Sequence, residues 1–389
     1  NTAAQLVRAV RKNTKNDGGI EAFLQQYDLS SDEGVLLMCI AEALLRIPDA
    51  DTADRLIADK ITSAKWKDHL GVSDSLFVNA STWGLMLTGQ ILSLDEISGK
   101  NPAQLMGKLV SRAGEPLVRT AMRQAMKIMG HQFVMGRTIG EALKRSLKNE
   151  KLPYRYSFDM LGESALTSAD AQRYLDNYHA GIDSIGSGPQ IDAPDVFSAP
   201  GISVKLSALH PRYEYTHEER VMAELVPSIL ELAKHAKEVG IGLTIDSEEA
   251  SRLELWLDIF ERVYRDRALD GWDGFGLAAQ TYQRRGRDVM RFVEELAGDV
   301  GRRIPVRLVK GAYWDSEIKW AQEQGIASYP VFTRKSHSDV SYLACARAAL
   351  AAGDKIYAQF ATHNAHTLAS VLHYAGSRRD YEFQRLHGM

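Results

Sequence analysis

The sequence has few of the features that cross-link a protein or anchor it in a membrane. Only two of its 389 residues are cysteines, Cys39 and Cys345, and both lie in apolar, helix-like segments without a C-x-x-C motif. This argues against a disulfide framework and fits a reducing compartment. The longest apolar run, residues 34–45, is interrupted by Glu42 and falls short of the ~20 residues of a membrane span. We therefore expect a cytoplasmic protein without a transmembrane helix.

A strong charge of one sign is also missing. The 47 basic and 50 acidic side chains leave a formal net charge of −3. Non-specific nucleic-acid binding needs a strong positive field, so we expect no nucleic-acid partner for this chain. Nucleotide-binding signatures are absent as well: no G-x-G-x-x-G follows a predicted strand, and there is no P-loop.

The two parts of the sequence are patterned differently. Residues 1–150 carry apolar residues at helical spacing and a possible capping box, Thr138 with Glu141, and they contain no convincing strand. From residue 151 onwards, short apolar or β-branched runs alternate with amphipathic helical segments. The runs are 156–161, 201–209, 242–247, 275–280, 305–312, 356–363 and 381–389.

Such alternation predicts an α/β fold with a parallel sheet, and seven units in series favour a TIM-type (β/α)₈ barrel over an open sheet. We expect the eighth β/α unit to lie outside this sequence, which begins at Asn1 and is expected to be part of a longer polypeptide. The predicted domains are a helical region over residues 1–150 and a barrel over residues 151–389. Residues 329–342 are predicted to form an extra loop after the fifth unit.

Polar side chains stand at the end of every predicted strand. A single one could be a helix cap or a buried polar group, which is our interpretation of Asp159, and Ser203 and Ser207 are interpreted as small packing residues. A polar group at all seven ends predicts a functional site, because barrel sites form at the carboxyl ends of strands. The residues are Asp159, Lys205, Asp246, Gln280, Arg307 with Lys310, Thr362 with His363, and His387.

Three functions are compatible with these residues. Residues 307–314 combine cations, Gly311 and two aromatic rings, which suits a large, planar, anionic cofactor. His363, His366 and Asp246 could instead serve a metal-dependent barrel hydrolase, although the first strand lacks the H-x-H of such enzymes. A non-catalytic scaffold is the third possibility.

Long strings of the sequence resemble one known family. From about residue 155 to the end, the chain is similar to the proline dehydrogenase domain of the bacterial proline utilization A family. Residues 1–150 resemble the helical arm and α-domain that precede the barrel in that family. The strings that carry the resemblance are YSFDMLGE, ISVKLSALHPRY, LTIDSEE, RLVKGAYWDSEIK, YPVFTRK, DVSYLACA, QFATHNAHT and YEFQRLHGM.

This resemblance implies a distorted (β/α)₈ barrel with non-covalent FAD that oxidises L-proline to Δ¹-pyrroline-5-carboxylate. Hydride passes to flavin N5, and electrons pass on to a membrane quinone, so a peripheral membrane location is expected. An aldehyde dehydrogenase domain is expected after residue 389. The DNA-binding module that some members of the family carry would lie before residue 1. The protein could also form homo-oligomers. The family's carboxylate clamp, a helix with an Arg–Arg pair, also lies beyond Met389. A molecule that ended here is therefore expected to bind proline weakly in an open barrel.

The resemblance also implies roles for individual residues. Lys205 resembles the lysine that holds the proline carboxylate, and Asp246 resembles the active-site aspartate of the third strand, either orienting the amine and its proton or organising its cationic neighbours. Tyr313 resembles the aromatic residue that packs near the substrate ring, Arg307 resembles the arginine near flavin N5, and Glu163 resembles the glutamate that can pair with a substrate-binding arginine and gate the site. The implied flavin contacts are Gln280, Arg307, Lys310, Gly311, Tyr313, Trp314, Thr362 and His363, with Thr333, Arg334 and Lys335 near the cofactor phosphates.

Overall fold

The computed structural model describes residues 2–13, 134–147, 154–188 and 193–387. In the N-terminal region these ranges hold two helices, α1 (Thr2–Asn13) and α2 (Ile139–Ser146). The predicted cap of α2 is present, since the hydroxyl of Thr138 accepts a hydrogen bond from the Glu141 N–H at 3.2 Å. The rest of the predicted helical region, including Cys39, lies outside the described residues. The boundary between residues 150 and 151 stays a prediction.

Seven parallel strands form one sheet in which each strand neighbours the previous and the next along the chain. All seven predicted strands are therefore confirmed. Six of them end earlier than predicted, and only β4 ends at the predicted residue. The larger differences are at β2, which gives way to a short helix at Leu206, at β5, which stops before Gly311 with its left-handed φ of 91°, and at β7, which ends at Gln384. The strands are β1 (Ser157–Asp159), β2 (Gly201–Lys205), β3 (Gly242–Asp246), β4 (Phe275–Gln280), β5 (Ile304–Val309), β6 (Ile356–Ala361) and β7 (Tyr381–Gln384).

Helices follow the strands, as the alternating pattern predicts. They are α3 (Ser168–Gly186), α4 (Leu206–Leu209), α5 (Glu218–Val239), α6 (Leu253–Tyr264), α7 (Gly286–Val300), α8 (Trp314–Glu323), α9 (Lys335–Ala351) and α10 (Ala365–Ala375), with short 3₁₀ turns at Tyr215–His217, Ala250–Arg252, Arg267–Leu269 and Gly353–Lys355. The loop predicted over 329–342 is wrong from Lys335 onwards. There α9 begins, and Ser338, Ser341, Tyr342 and Cys345 are buried at helical spacing. None of the helices among the described residues is long and apolar enough to cross a membrane.

The sheet is strongly curled. Arg307 on β5 donates hydrogen bonds to the hydroxyls of Ser157 on β1 and Ser203 on β2, each at 2.9 Å. In a flat sheet β1 and β5 would lie roughly 19 Å apart, at about 4.8 Å per strand. The two edges also approach each other, because Arg155, just before β1, forms a 3.1 Å salt bridge with Glu382 on β7. The architecture is thus a seven-stranded barrel-like sheet, in agreement with the predicted class.

The core lies between the outer face of the sheet and the helices. Val204, Ile245, Leu277 and Val306 are register neighbours on four successive strands, and all four are buried. Phe260 of α6 stacks on Phe275 of β4, with ring centroids 4.9 Å apart. Because side chains alternate across a strand, the residues between these apolar positions point into the barrel.

Candidate active site at the carboxyl ends of the strands

The inward-facing positions of the strands are unusually polar. By alternation and register they include Ser157, Asp159, Ser203, Lys205, Thr244, Asp246, Gln280, Arg307, Gln359, Glu382 and Gln384. The sequence expectation concerned only the last residues of the strands. The structure adds a second layer beneath them, and the two layers are connected by hydrogen bonds.

Lys205 is held between two carboxylates. Its Nζ lies 2.8 Å and 3.0 Å from the two oxygens of Asp159 and 3.1 Å from Oδ2 of Asp246. Asp246 is its register partner on β3, whereas Asp159 comes from the end of β1. Asp159, interpreted from the sequence as a helix cap or a buried polar group, thus shares the ammonium group of a predicted site residue, and its side chain is 49% exposed.

Arg307 contacts side chains of four other strands. Its Nη1 donates to Asp246 Oδ1 at 3.2 Å, and its Nε donates to Gln384 Oε1 at 2.7 Å. The hydroxyls of Ser157 and Ser203 accept its remaining hydrogen bonds, each at 2.9 Å. Ser203 is thus part of the site and not only a packing residue. Asp246 joins the two cations, because one of its oxygens faces Lys205 and the other faces Arg307.

The carboxylates beside Lys205 stabilise the charged form of its side chain. Burial alone would lower the pKa of Lys205, but Asp246 and Asp159 outweigh it and the pKa is raised. The pKa of Asp159 is also raised, because the carboxyl is partly removed from water and faces Asp246, although Lys205 and Arg307 act in the opposite direction. The barrel therefore presents a permanent cation at its mouth beside a carboxylate that is half exposed.

Gln280 and Ser247, at the ends of β4 and β3, are among the described residues with a buried polar atom that has no hydrogen-bond partner. Gln280, at the end of β4, donates through Nε2 to the Ser247 carbonyl at 3.0 Å, which leaves its Oε1 unpaired. The Ser247 hydroxyl is also buried and unpaired. Buried polar atoms are normally satisfied, so these two atoms are suited to contact a bound polar group.

The segment after β5 is built as a sharp turn. Gly311 adopts a φ of 91°, and no atom lies within 4 Å of where its Cβ would be, so conformation and not space favours glycine here. The Tyr313 N–H donates to the Tyr282 hydroxyl at 3.0 Å, and Trp314 Nε1 donates to the Phe332 carbonyl at 2.6 Å. Burial, with the carboxylates of Glu163 and Glu248, raises the pKa of Tyr313.

A second cationic group surrounds the beginning of α9. Asp339 accepts from Lys310 at 2.7 Å and from Lys335 at 2.9 Å, and Lys310 also reaches the Thr367 hydroxyl at 3.2 Å. Arg334 is the N-cap residue of α9, with extended backbone, and Thr333 precedes it; both are exposed. Lys310 and the predicted phosphate-side residues are therefore brought together around one helix N-terminus.

The segment after β6 is tied to β7. The Thr362 N–H donates to the Gln384 carbonyl at 3.2 Å, and His363 Nε2 accepts from the Leu386 N–H at 3.2 Å. Partial burial and nearby Arg385 lower the pKa of His363. Within residues 2–13, 134–147, 154–188 and 193–387, no three His, Cys, Asp or Glu side chains are grouped so as to hold a metal ion. The residues of the metal-hydrolase alternative therefore do not form a ligand set.

Several members of the site were missed from the sequence. The sequence does not single out Ser157 and Gln384 around Arg307, or Asp339 with Thr367 beside Lys310. It names Asp159 and Ser203, but interprets them as an ordinary polar group and a packing residue. The strand residues among them could have been found by period-two alternation from the predicted ends, since Ser157 and Ser203 lie two positions before Asp159 and Lys205. No local signal marks Asp339 or Thr367.

A curled parallel sheet with charged side chains gathered at the carboxyl ends of its strands defines an enzyme site of the α/β-barrel class. The family model described as proline dehydrogenase matches residues 142–389. This chain belongs to the proline dehydrogenase family. A second model, described as the DNA-binding domain of proline dehydrogenase, matches residues 19–133. The structure describes none of residues 19–133, and the absence of a nucleic-acid partner stays a prediction.

Curated relatives and solved structures agree with this assignment. The bifunctional protein PutA of Salmonella typhimurium is 49% identical over 389 residues, which cover 99% of this chain and 29% of the relative. PutA of Escherichia coli K12 is 50% identical over 397 aligned positions, covering 30% of its length. A crystal structure of Bradyrhizobium japonicum Proline Utilization A matches with a TM-score of 0.73 at 47% identity, covering all of this chain and 38% of that one. The chain thus spans about a third or less of the length of these relatives.

Proposed function

We propose that this chain carries out the FAD-dependent oxidation of L-proline to Δ¹-pyrroline-5-carboxylate. Membership of the proline dehydrogenase family supports the reaction class. The observation that carries the proposal is the buried ammonium of Lys205, which two carboxylates keep charged at the mouth of the barrel. A fixed cation at this position suits an amino-acid substrate, whose carboxylate it can bind by a charge-assisted hydrogen bond.

Asp246 and Asp159 receive different roles in this proposal. Both oxygens of Asp246 are engaged, by Lys205 at 3.1 Å and by Arg307 at 3.2 Å, so Asp246 orients the two cations. The side chain of Asp159 is 49% exposed, which leaves it able to face the substrate amine. Proline must lose one nitrogen proton and a hydride from the adjacent ring carbon to form a C=N bond. A carboxylate beside the nitrogen would favour the first of these losses.

The residues present fit a flavin cofactor. Gln280 Oε1 and the Ser247 hydroxyl are buried acceptor groups without partners, of the kind that a polar ring edge would satisfy. Lys310 and Lys335 lie at the N-terminus of the 17-residue helix α9, a favourable place for phosphates. When bound, FAD supplies the two-electron acceptor at N5. Arg307 would place positive charge beside the reduced ring, and Tyr313, Trp314, Gly311, Thr362 and His363 would complete the contacts.

The resemblance to proline utilization A extends the proposal beyond this chain. The relatives are described as bifunctional, which supports a linked aldehyde dehydrogenase domain that receives the product. Electrons would pass from the reduced flavin to a membrane quinone, which requires peripheral contact between a cytoplasmic protein and the membrane. Glu163 is proposed as the residue that gates entry, and homo-oligomer formation also remains part of the proposal.

The visible absorption spectrum before and after anaerobic L-proline tests the proposal. We expect a flavin band that bleaches on addition of proline. Lys205→Met is expected to keep the flavin band and to raise the proline concentration needed for bleaching at least tenfold. Lys234→Met, on the exposed face of α5, is the matched control and should behave as the parent protein. A protein that shows no flavin band even after FAD is added would overturn the proposal.

A further inference from the structure

Glu248 is a buried carboxyl group that the proposed chemistry does not use. It lies two residues after Asp246 and is only 5% exposed. Its Oε2 accepts a hydrogen bond from the Ser207 N–H at 3.0 Å, and its Oε1 lies 3.6 Å from Nη1 of Arg252. Ser207 belongs to α4, directly after β2 and two residues beyond Lys205. Glu248 therefore connects the ends of two neighbouring strands at the mouth of the barrel.

Ser207 in turn holds the loop between β1 and α3. Its hydroxyl accepts from the Ser164 N–H at 3.1 Å, and its carbonyl accepts from the Ala165 N–H at 2.8 Å. Ser164 has a φ of 57° and is the only non-glycine residue with positive φ in the described part of the chain. A strained backbone of this kind persists only where its surroundings hold it. The two bonds from Ser207 supply that restraint.

The loop held in this way carries Glu163. The side chain of Glu163 is exposed, and its charge contributes to the raised pKa of Tyr313, so the carboxylate lies close enough to Tyr313 to interact with it electrostatically. A continuous set of contacts thus runs from buried Glu248 through Ser207 to the backbone on either side of Ser164. Any change at Glu248 that releases Ser207 would also release the Glu163 loop.

We propose that Glu248 is a positioning residue that holds the Glu163 loop in place through Ser207 and so controls substrate access to the barrel. The control of substrate access rests on the proposed oxidation of proline, but the hydrogen-bonded connection from Glu248 through Ser207 to the Glu163 loop does not. Burial raises the pKa of Glu248 to about 7, while Ser207 and Arg252 act in the opposite direction. Tyr213, Arg252, Glu249 and Tyr313 are the titratable groups that face it. A carboxylate accepts the Ser207 N–H more strongly than a carboxylic acid does, so the loop should loosen below about pH 7.

Hydrogen exchange of the peptide that contains Ser164 and Ala165 tests the link without any substrate. Glu248→Ala should raise the exchange rate of these amides about tenfold at pH 8, after correction for intrinsic rates. Glu248→Gln keeps an oxygen acceptor, so it should keep most of the protection of these amides. Because the amide group does not titrate, the variant should not show the decrease in protection between pH 8 and pH 6 that is expected of the parent protein. Glu295→Gln, an exposed position on α7, is the matched control. Unchanged protection in a folded Glu248→Ala protein would overturn the proposal.

A second variant keeps the test valid if Glu248→Ala does not fold. Ser207→Ala removes only the hydroxyl that accepts from Ser164, so protection should fall at Ser164 and persist at Ala165. Equal protection of both amides in this variant would contradict the link. If wild-type flavin bleaches with proline, Glu248→Gln should also lose the pH dependence of KM for proline between pH 6 and pH 8 while kcat is retained. A failure of proline to bleach the flavin would count against the proposed function and leave the exchange result intact.

Discussion

Asp246 provides the most direct test of how the site is held together. Among the residues that the structure describes, it is the one carboxylate that contacts both Lys205 and Arg307, and the side chains of all three are at most 15% exposed. In Asp246→Asn one oxygen is replaced by an NH₂ group, which can only donate. Whichever cation faces that group loses an acceptor and meets another donor. The substitution keeps the shape of the side chain, so the effect reports on charge and hydrogen bonding.

The size of the effect follows from the distances. At 3.1 Å and 3.2 Å each ion pair has a gross attraction of about 5 kcal/mol for an effective dielectric constant near 20. Desolvation offsets most of this attraction, and breaking one buried pair typically costs about 3–5 kcal/mol. Lys205 keeps Asp159, and Arg307 keeps Gln384 and two serine hydroxyls. We therefore expect a loss of about 3 kcal/mol in the free energy of unfolding, at the lower end of that range.

Urea unfolding followed by circular dichroism measures this loss. The pKa of Lys205 is raised above its ordinary value of 10.5, so the pair contributes its full stability below that pH and loses it only as the pH rises through the folded value. The loss in Asp246→Asn should therefore be the same at pH 6 and pH 9. Asp354→Asn, at an exposed position, is the control and should change stability by less than about 0.5 kcal/mol. A loss below about 1 kcal/mol would refute the reasoning, since it would fall far short of the cost of a broken buried pair.

Three further substitutions test other parts of the structure. Phe275→Ala removes a fully buried ring that stacks on Phe260. It should lower the free energy of unfolding by about 3–5 kcal/mol, and a change below about 1 kcal/mol would show that the helix layer is not packed as described. Gly311→Ala places a Cβ in a left-handed turn with open space around it, so calorimetry should show a loss of about 1–2 kcal/mol from conformation alone, and an unchanged melting temperature would contradict this. Lys310→Met should weaken binding of the proposed FAD cofactor about tenfold in a fluorescence titration. Lys319→Met, on the exposed face of α8, is the control and should leave the affinity unchanged. Equal affinities of the two variants would show that Lys310 does not contact the cofactor.

The strands were predictable because each is a short apolar or β-branched run between helical segments. The errors fall where this local signal continues past the strand. Three of the four residues 206–209 are apolar, but the segment forms α4. Residues 310–312 follow β5 in a turn in which Gly311 is left-handed. The sequence predicts a loop at the beginning of α9 because the buried face of the helix contains small polar residues there, such as Ser338 and Ser341, which lack the apolar pattern of an ordinary amphipathic helix.

The site was predictable only in part. Polar residues at strand ends are visible in the sequence, because the alternating pattern shows where each strand stops. Their partners are not, since Arg307 lies 150 residues from Ser157 and 77 residues from Gln384. The same limit applies to Asp159: nothing in YSFDML indicates that its carboxylate meets the ammonium group of Lys205, 46 residues away.

What the sequence determined was the set of strands, their order and the side chains that stand at their ends. These features depend on periodicity and on local conformational preference, and both act over a few residues. The tertiary structure decided which of these side chains meet. The curl of the sheet brings β5 across the interior to β1 and β2, so that Asp246 can join Lys205 to Arg307. Such contacts depend on the summed twist and packing of seven strands, which no single segment of the chain encodes.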